Sequence, residues 1–154
     1  FGQITPSIAG HYEVAVTLRE LKLLDEANKI LVYSYEACSE IGIKDNYTLE
    51  ELDKFEALTS RFARISDILI QRIFRLMDIW ELEMPGSVID RINRAEKRNL
   101  ISSAEVFKEI RYLRNEIAHE YIPLAIEQIF KEVLRLTPHI IDSVERIRQW
   151  KPDL

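Results

Sequence analysis

Between Leu49 and Glu83 the chain runs without a proline or a glycine, and its apolar residues return at three- and four-residue intervals. A stretch this long, with nothing in it that locks or frees the backbone, favours one long helix over strands joined by turns. Phe62, Ile65, Leu69, Ile73, Leu76 and Trp80 are expected on one broad apolar side. Arg61, Arg64, Arg72 and Arg75 fall in a neighbouring sector, because each residue of an ideal helix advances by about 100°. That sector either draws in a nucleic-acid backbone or is a solvated face, salt-bridged by acids such as Glu81 and Glu83.

The same periodicity divides the remaining chain. "HYEVAVTLRELKLLDEANKILVYSYEACSEI", residues 11 to 41, reads as a second long helix with Leu18, Leu21, Leu24, Ala27, Leu31 and Tyr35 facing inward and Gly42 ending it. Thr48 and Glu51 have the spacing of a capping box. Ser87 caps a shorter helix carrying Val88, Ile89, Ile92 and Ala95, which Asn99 helps to stop. Ser102 or Ser103 caps the next, with Glu105 in its first turn. Past Pro123, the apolar residues from Leu124 to Ile147 build a last helical stretch that Thr137 and Pro138 either divide or kink. With only four glycines and five prolines in 154 residues, the economical architecture is all-α, an antiparallel bundle of about five helices. Residues 1–10 read as a loose lead-in, 11–150 as one helical domain and 151–154 as a tail.

A formal net charge of -5 and a pI near 5.3 argue against a protein coated in positive charge for long duplex DNA, while leaving room for a local basic site for RNA or nucleotide. Cys38 is the only cysteine, which suits a cytoplasmic chain without an internal disulfide. No apolar run approaches the roughly 18 residues of a membrane span, and no secretory signal is visible, so no membrane association is expected.

One stretch asks for more than a scaffold role. "EIRYLRNEIAHEYIP", residues 109 to 123, sets an arginine, an asparagine, a histidine and a tyrosine into a helix-like run. Asn115 and His119 are four apart and stack on an ideal helix, whereas Arg114 and His119, five apart, lie roughly 140° from one another around its axis. Either the helix is distorted near its end or the two meet across an oligomer interface. Histidine supplies acid-base chemistry near neutral pH, and arginine stays cationic and directs paired N–H donors at phosphate oxygens. An RNA 2'-hydroxyl attacks its own phosphorus when a base takes its proton and a cation stabilises the charge that develops. Asn115 orients His119 or holds phosphate through its amide.

Each residue has a plainer role as well: His119 satisfied by a backbone carbonyl at a helix end, Arg114 paired with Glu116 or Glu120, Asn115 a local cap, Tyr121 an interface anchor. Lys108 and Arg111 extend the positive charge into a local strip that binds phosphate without reading bases, joined in the fold by Arg94, Lys97 or Arg98. The interleaved Glu105, Glu109 and Glu116 fit an ordinary salt-bridged helix equally well.

The segment "RNEIAHEY", residues 114 to 121, resembles the signature of the HEPN superfamily, an arginine, a following polar residue and a histidine after four intervening positions. The tyrosine two places beyond the histidine is similar to the HepT-like toxin branch, whose members are encoded beside a minimal nucleotidyltransferase antitoxin. The resemblance implies a HEPN-like helical fold and a metal-independent endoribonuclease, homodimeric, needing no cofactor, with the paired motifs facing a shared cleft. Carried onto this chain, Arg114 and His119 become the catalytic pair, Asn115 the polar motif member, and Tyr121 the residue whose adenylylation by the nucleotidyltransferase suppresses RNA cleavage. The expected products carry 2',3'-cyclic phosphate and 5'-hydroxyl ends. The competing expectation is a non-catalytic nucleotide- or substrate-binding partner of a nucleotidyltransferase, and a purely structural helical dimer comes third. Other chemistries find little: His11, His139 and Cys38 lack metal-ligand spacing, and no phosphate-binding loop or dinucleotide fingerprint is present.

Overall fold

The computed structural model describes residues 4–119 and 126–150, with side chains from Val14 onward. Helix α1 spans Ile4–Ile41, α2 Leu49–Asp67, α3 Phe74–Trp80, α4 Val88–Lys97, α5 Ala104–Ala118 and α6 Ile126–Gln149. A π-helical turn, Ile68–Ile73, joins α2 to α3 without a break, so the run from Leu49 to Trp80 is one continuous helical element and the bundle has five. The described residues contain no strand.

Most ends are written in the local sequence. Gly42, at φ 75°, closes α1 with its N–H on the Cys38 carbonyl. Thr48 and Glu51 form the capping box of α2, and Ser87 forms a second with Asp90 at the start of α4. Of the two serines before α5 the cap is Ser103, whose hydroxyl accepts from the Val106 N–H. Asn99, at φ 62°, ends α4: its N–H reaches Glu96 O and the Leu100 N–H reaches Ala95 O, the paired bonds that close a helix through one left-handed residue. α1 begins at Ile4, within the expected lead-in; Pro6 lies in its first turn, where a missing N–H breaks no helical bond. α6 continues through Pro138, and the Thr137 hydroxyl donates to Val133 O at 2.6 Å.

Side-chain contacts fix the directions. Arg61 reaches Ser34, Arg72 reaches Glu20, and the Trp80 indole donates to Thr17, so α2–α3 descends along α1 in the opposite sense. Arg135 reaches Glu109 on α5 and Arg146 reaches Asn99 in the connection that precedes it, so α6 runs antiparallel to α5. Between the helices lies a core that includes Phe55, Phe62, Phe74, Phe107 and Phe130, with Phe55 and Phe130 stacked at 4.8 Å. Tyr47 packs edge-on against both rings and pins the α1–α2 connection to the core.

Two inward stripes differ from expectation. On α1, Leu18 is 51% exposed, and the buried line runs instead through Thr17, Leu24, Ala27, Leu31 and Cys38 with Leu21 and Tyr35 alongside. Thr17 takes the inward position because its hydroxyl satisfies the Trp80 N–H, leaving Leu18 one step round the helix. On the second helical element, Phe62, Ile65, Leu69 and Ile73 are buried as expected, but Leu76 and Trp80 are half-buried and Phe74, Met77 and Asp78 face inward. The π turn is the reason. Its Phe74 N–H reaches back five residues to Leu69 O, and the wider turn changes the phase of everything after it.

Asp78 is fully buried and is shared by Arg94 at 3.1 Å and Arg98 at 2.7 Å. These bonds tie α4 to α3. Cys38 is also buried, and burial pushes its thiol up to about 11, so it packs as a small apolar residue rather than as a nucleophile.

Candidate functional site

α5 buries Ala104, Phe107, Ile110 and Leu113, three apart, and the half-buried Arg111, Arg114 and Asn115 lie along one side of that buried face. That side faces the end of α2 and the π turn. Together they form a cleft of about 430 Å³ lined by Ser66, Asp67, Ile70, Gln71, Arg72, Arg111, Arg114 and Asn115.

Arg114 is held there by a residue outside the sequence motif. Its Nε donates to Asp67 Oδ1 at 2.6 Å and its Nη2 to Oδ2 at 2.8 Å. The bonds to Asp67 raise the guanidinium's already high pKa further, so it stays charged. Arginine carries five N–H donors in one plane. The side-on pairing engages two of them and leaves three, on Nη1 and Nη2, along the opposite edge.

The other donors converge. The Gln71 side-chain oxygen accepts from Arg91 at 3.3 Å, so the amide's NH2 end is what remains for a ligand. Ser66 spends its hydroxyl hydrogen on Phe62 O. Arg72 lies against Glu20 at 3.4 Å, a long contact, and Arg111 has no ion pair among the described residues. Three guanidinium groups and a single carboxylate line one concavity.

His119 is the first residue past α5. Its Nδ1 lies 2.6 Å from the backbone carbonyl of Asn115. A carbonyl only accepts, so Nδ1 carries the hydrogen and Nε2 is the basic nitrogen of the neutral ring. The expected stacking of Asn115 under His119 is present, but through the main chain; the Asn115 amide lines the arginine cleft instead. This is the plainer role expected for His119, a helix-end ring satisfied by a backbone carbonyl.

Within one chain the motif opens in two directions. His119 lines a second cavity with Glu56, Thr59, Ser60, Glu116 and Phe130 among its walls. No lining residue is common to it and the arginine cleft. The angular separation of positions 114 and 119 persists in the fold.

Lys108 does not join the arginine cleft. It pairs with Glu105 at 3.2 Å and lines a third cavity with Glu109, Glu116, Glu132 and Arg135. Arg94 and Arg98 are committed to Asp78. Tyr121 lies outside the described residues. Among the described residues no three His, Cys, Asp or Glu side chains are grouped to hold a metal ion, and no described helix is long and apolar enough to cross a membrane.

Sequence reasoning missed Asp67, Gln71 and the π turn. Asp67 did leave a trace: it is the sole acid between Glu56 and Asp78, in a stretch that carries Arg61, Arg64, Arg72 and Arg75. No family model, curated protein or solved structure matches the chain.

Proposed function

We propose that this chain is a HEPN-type endoribonuclease of the HepT-like toxin branch, cutting RNA without a metal ion, with Arg114 and His119 as its catalytic pair. The observation that carries the reading is the Arg114–Asp67 clamp in a cleft of donors, combined with a histidine whose Nδ1–H is fixed so that Nε2 is the base. Nε2 takes the 2'-hydroxyl proton, the O2'–P bond forms as the P–O5' bond breaks, and the imidazolium returns a proton to O5'. Arg114 stabilises the charge on the non-bridging oxygens. Because Arg114 and His119 line different cavities in one chain, the working site combines Arg114 of one copy with His119 of a second in a homodimer.

Adenylylation of Tyr121 by a minimal nucleotidyltransferase antitoxin belongs to the same proposal, and rests on the resemblance of "RNEIAHEY". A bulky anion two residues past His119 competes with RNA phosphate for the arginines. The buried, unpaired Cys38 suits the reducing cytoplasm where such a pair works.

Cleavage of total RNA by unadenylylated protein in excess EDTA tests the reading. Wild type yields cyclic phosphate and 5'-hydroxyl ends, and a folded His119→Ala variant loses on the order of 100-fold or more in rate. Products ending in 3'-hydroxyl, or equal cleavage by H119A, contradict it. The separate openings of the two motif residues favour one second reading, a phosphate-binding module that presents a nucleotide to the transferase; AMP binding without cleavage of any RNA is its signature.

A further inference from the structure

We infer that Arg72, on the π turn, and Arg111, one turn before Arg114 on α5, hold the phosphates of a single RNA strand on either side of the one that Arg114 contacts. The inference rests on the ribonuclease reading and extends it to the path of the substrate.

Three observations support it. First, the cleft's remaining capacity is mostly donor: the outer edge of Arg114, the guanidinium of Arg111, that of Arg72 beyond its 3.4 Å contact with Glu20, and the NH2 ends of Gln71 and Asn115. Asp67, its one carboxylate, has both oxygens engaged by Arg114. Second, the three arginines come from two helical elements, so they line opposite walls of the concavity rather than one exposed helix face. Third, the chain carries a net charge of -5, yet the cleft lining sets three arginines against one carboxylate, Asp67, with Glu20 reaching Arg72 from outside that lining. A local excess of cationic donors in an acidic protein marks where a polyanion sits. Three guanidinium groups outnumber the polar side chains suited to reading base edges, which fits recognition of the backbone rather than of sequence.

The π turn is what delivers Arg72. An uninterrupted α-helix from Leu49 would keep Leu76 and Trp80 on the buried side; the wider turn instead buries Phe74 and Met77 and sets Gln71 and Arg72 beside the cleft.

A short, fluorescently labelled 2'-O-methyl oligoribonucleotide, which lacks the attacking hydroxyl, measures strand binding without cleavage. Its affinity is followed by anisotropy across a salt series for wild type, Arg72→Ala, Arg111→Ala and Lys108→Ala. Each arginine variant binds several-fold more weakly, and the slope of log K against log salt falls by about 0.7 per lost phosphate contact. Lys108→Ala, in its separate acidic cavity, matches wild type. Unchanged affinity and slope in both arginine variants overturns the proposal, and so does AMP binding as tightly as the oligonucleotide, since a strand site gains with each phosphate. Cleavage of unmodified RNA, run in parallel, separates the two readings. If cleavage proceeds while both slopes are unchanged, the strand path fails and the ribonuclease stands. If the slopes fall and no RNA is cut, the strand path stands and the catalytic reading fails.

Discussion

The chemistry proposed needs Arg114 held in one direction, and its two bonds to Asp67 fix that direction. Both groups are partly exposed, so the pair contributes at most about 1 kcal/mol to stability. Asp67→Ala is therefore expected to leave the urea midpoint close to wild type while slowing RNA cleavage on the order of 100-fold, the cost of a misplaced catalytic group. A variant that cuts at the wild-type rate shows Asp67 to be an ordinary ion-pair partner. Residue by residue, the sequence carried the motif and little of its support. The positions of Arg114, Asn115 and His119 were legible because they lie within six residues at the end of one helix. The clamp was not, because Asp67 stands 47 residues away and only tertiary packing selects it from the other acids. Lys108 shows the converse: near in sequence to Arg111, it turns to Glu105 and a different cavity.

Helix ends were the most legible elements, since a cap is a bargain between near neighbours. The Thr48–Glu51, Ser87 and Asn99 signals all operate where the sequence placed them. The π turn was invisible, because "ILIQRI" has no breaker and its apolar run fits an α-helix equally well. The caps also make stability depend on acid. The Glu51 carboxyl is held below its usual range by Lys44 and then by the Thr48 N–H, and Asp90 by the Ser87 N–H and hydroxyl. A depressed folded value means that this stabilisation is complete above the unfolded carboxylate range, about 4, and is lost as pH falls through the lower folded values. Urea midpoints measured from neutral pH into acid fall below that point in wild type, and fall less in the Glu51→Gln, Asp90→Asn double variant; superimposable curves refute the assignment. At Asp78 the consequence is larger. Truncation of a fully buried carboxylate removes the acid that Arg94 and Arg98 share and leaves them only the exposed Glu83 and Glu81, so Asp78→Ala is expected to cost about 3 kcal/mol in chemical denaturation, and a loss below about 1 kcal/mol would show that Glu81, Glu83 and solvent take up both guanidinium groups instead.

Over the whole molecule, composition and periodicity foretold the helical bundle, because long breaker-free runs with few turns admit little else. Where the site closes was beyond them. One chain holds the arginine cleft and the His119 cavity apart, and the chemistry proposed needs both at one phosphate. A homodimer resolves this if each site takes its arginine from one copy and its histidine from the other. Complementation tests that account directly. R114A and H119A proteins, each inactive alone, are mixed in equal amounts, dissociated, reassociated and assayed for RNA cleavage. Half of the dimers that form are then mixed, and each has one intact site, so activity returns to about one quarter of wild type. A mixture that stays inactive, while mass measurements show mixed dimers and wild-type protein cuts the same RNA, contradicts a site shared between copies.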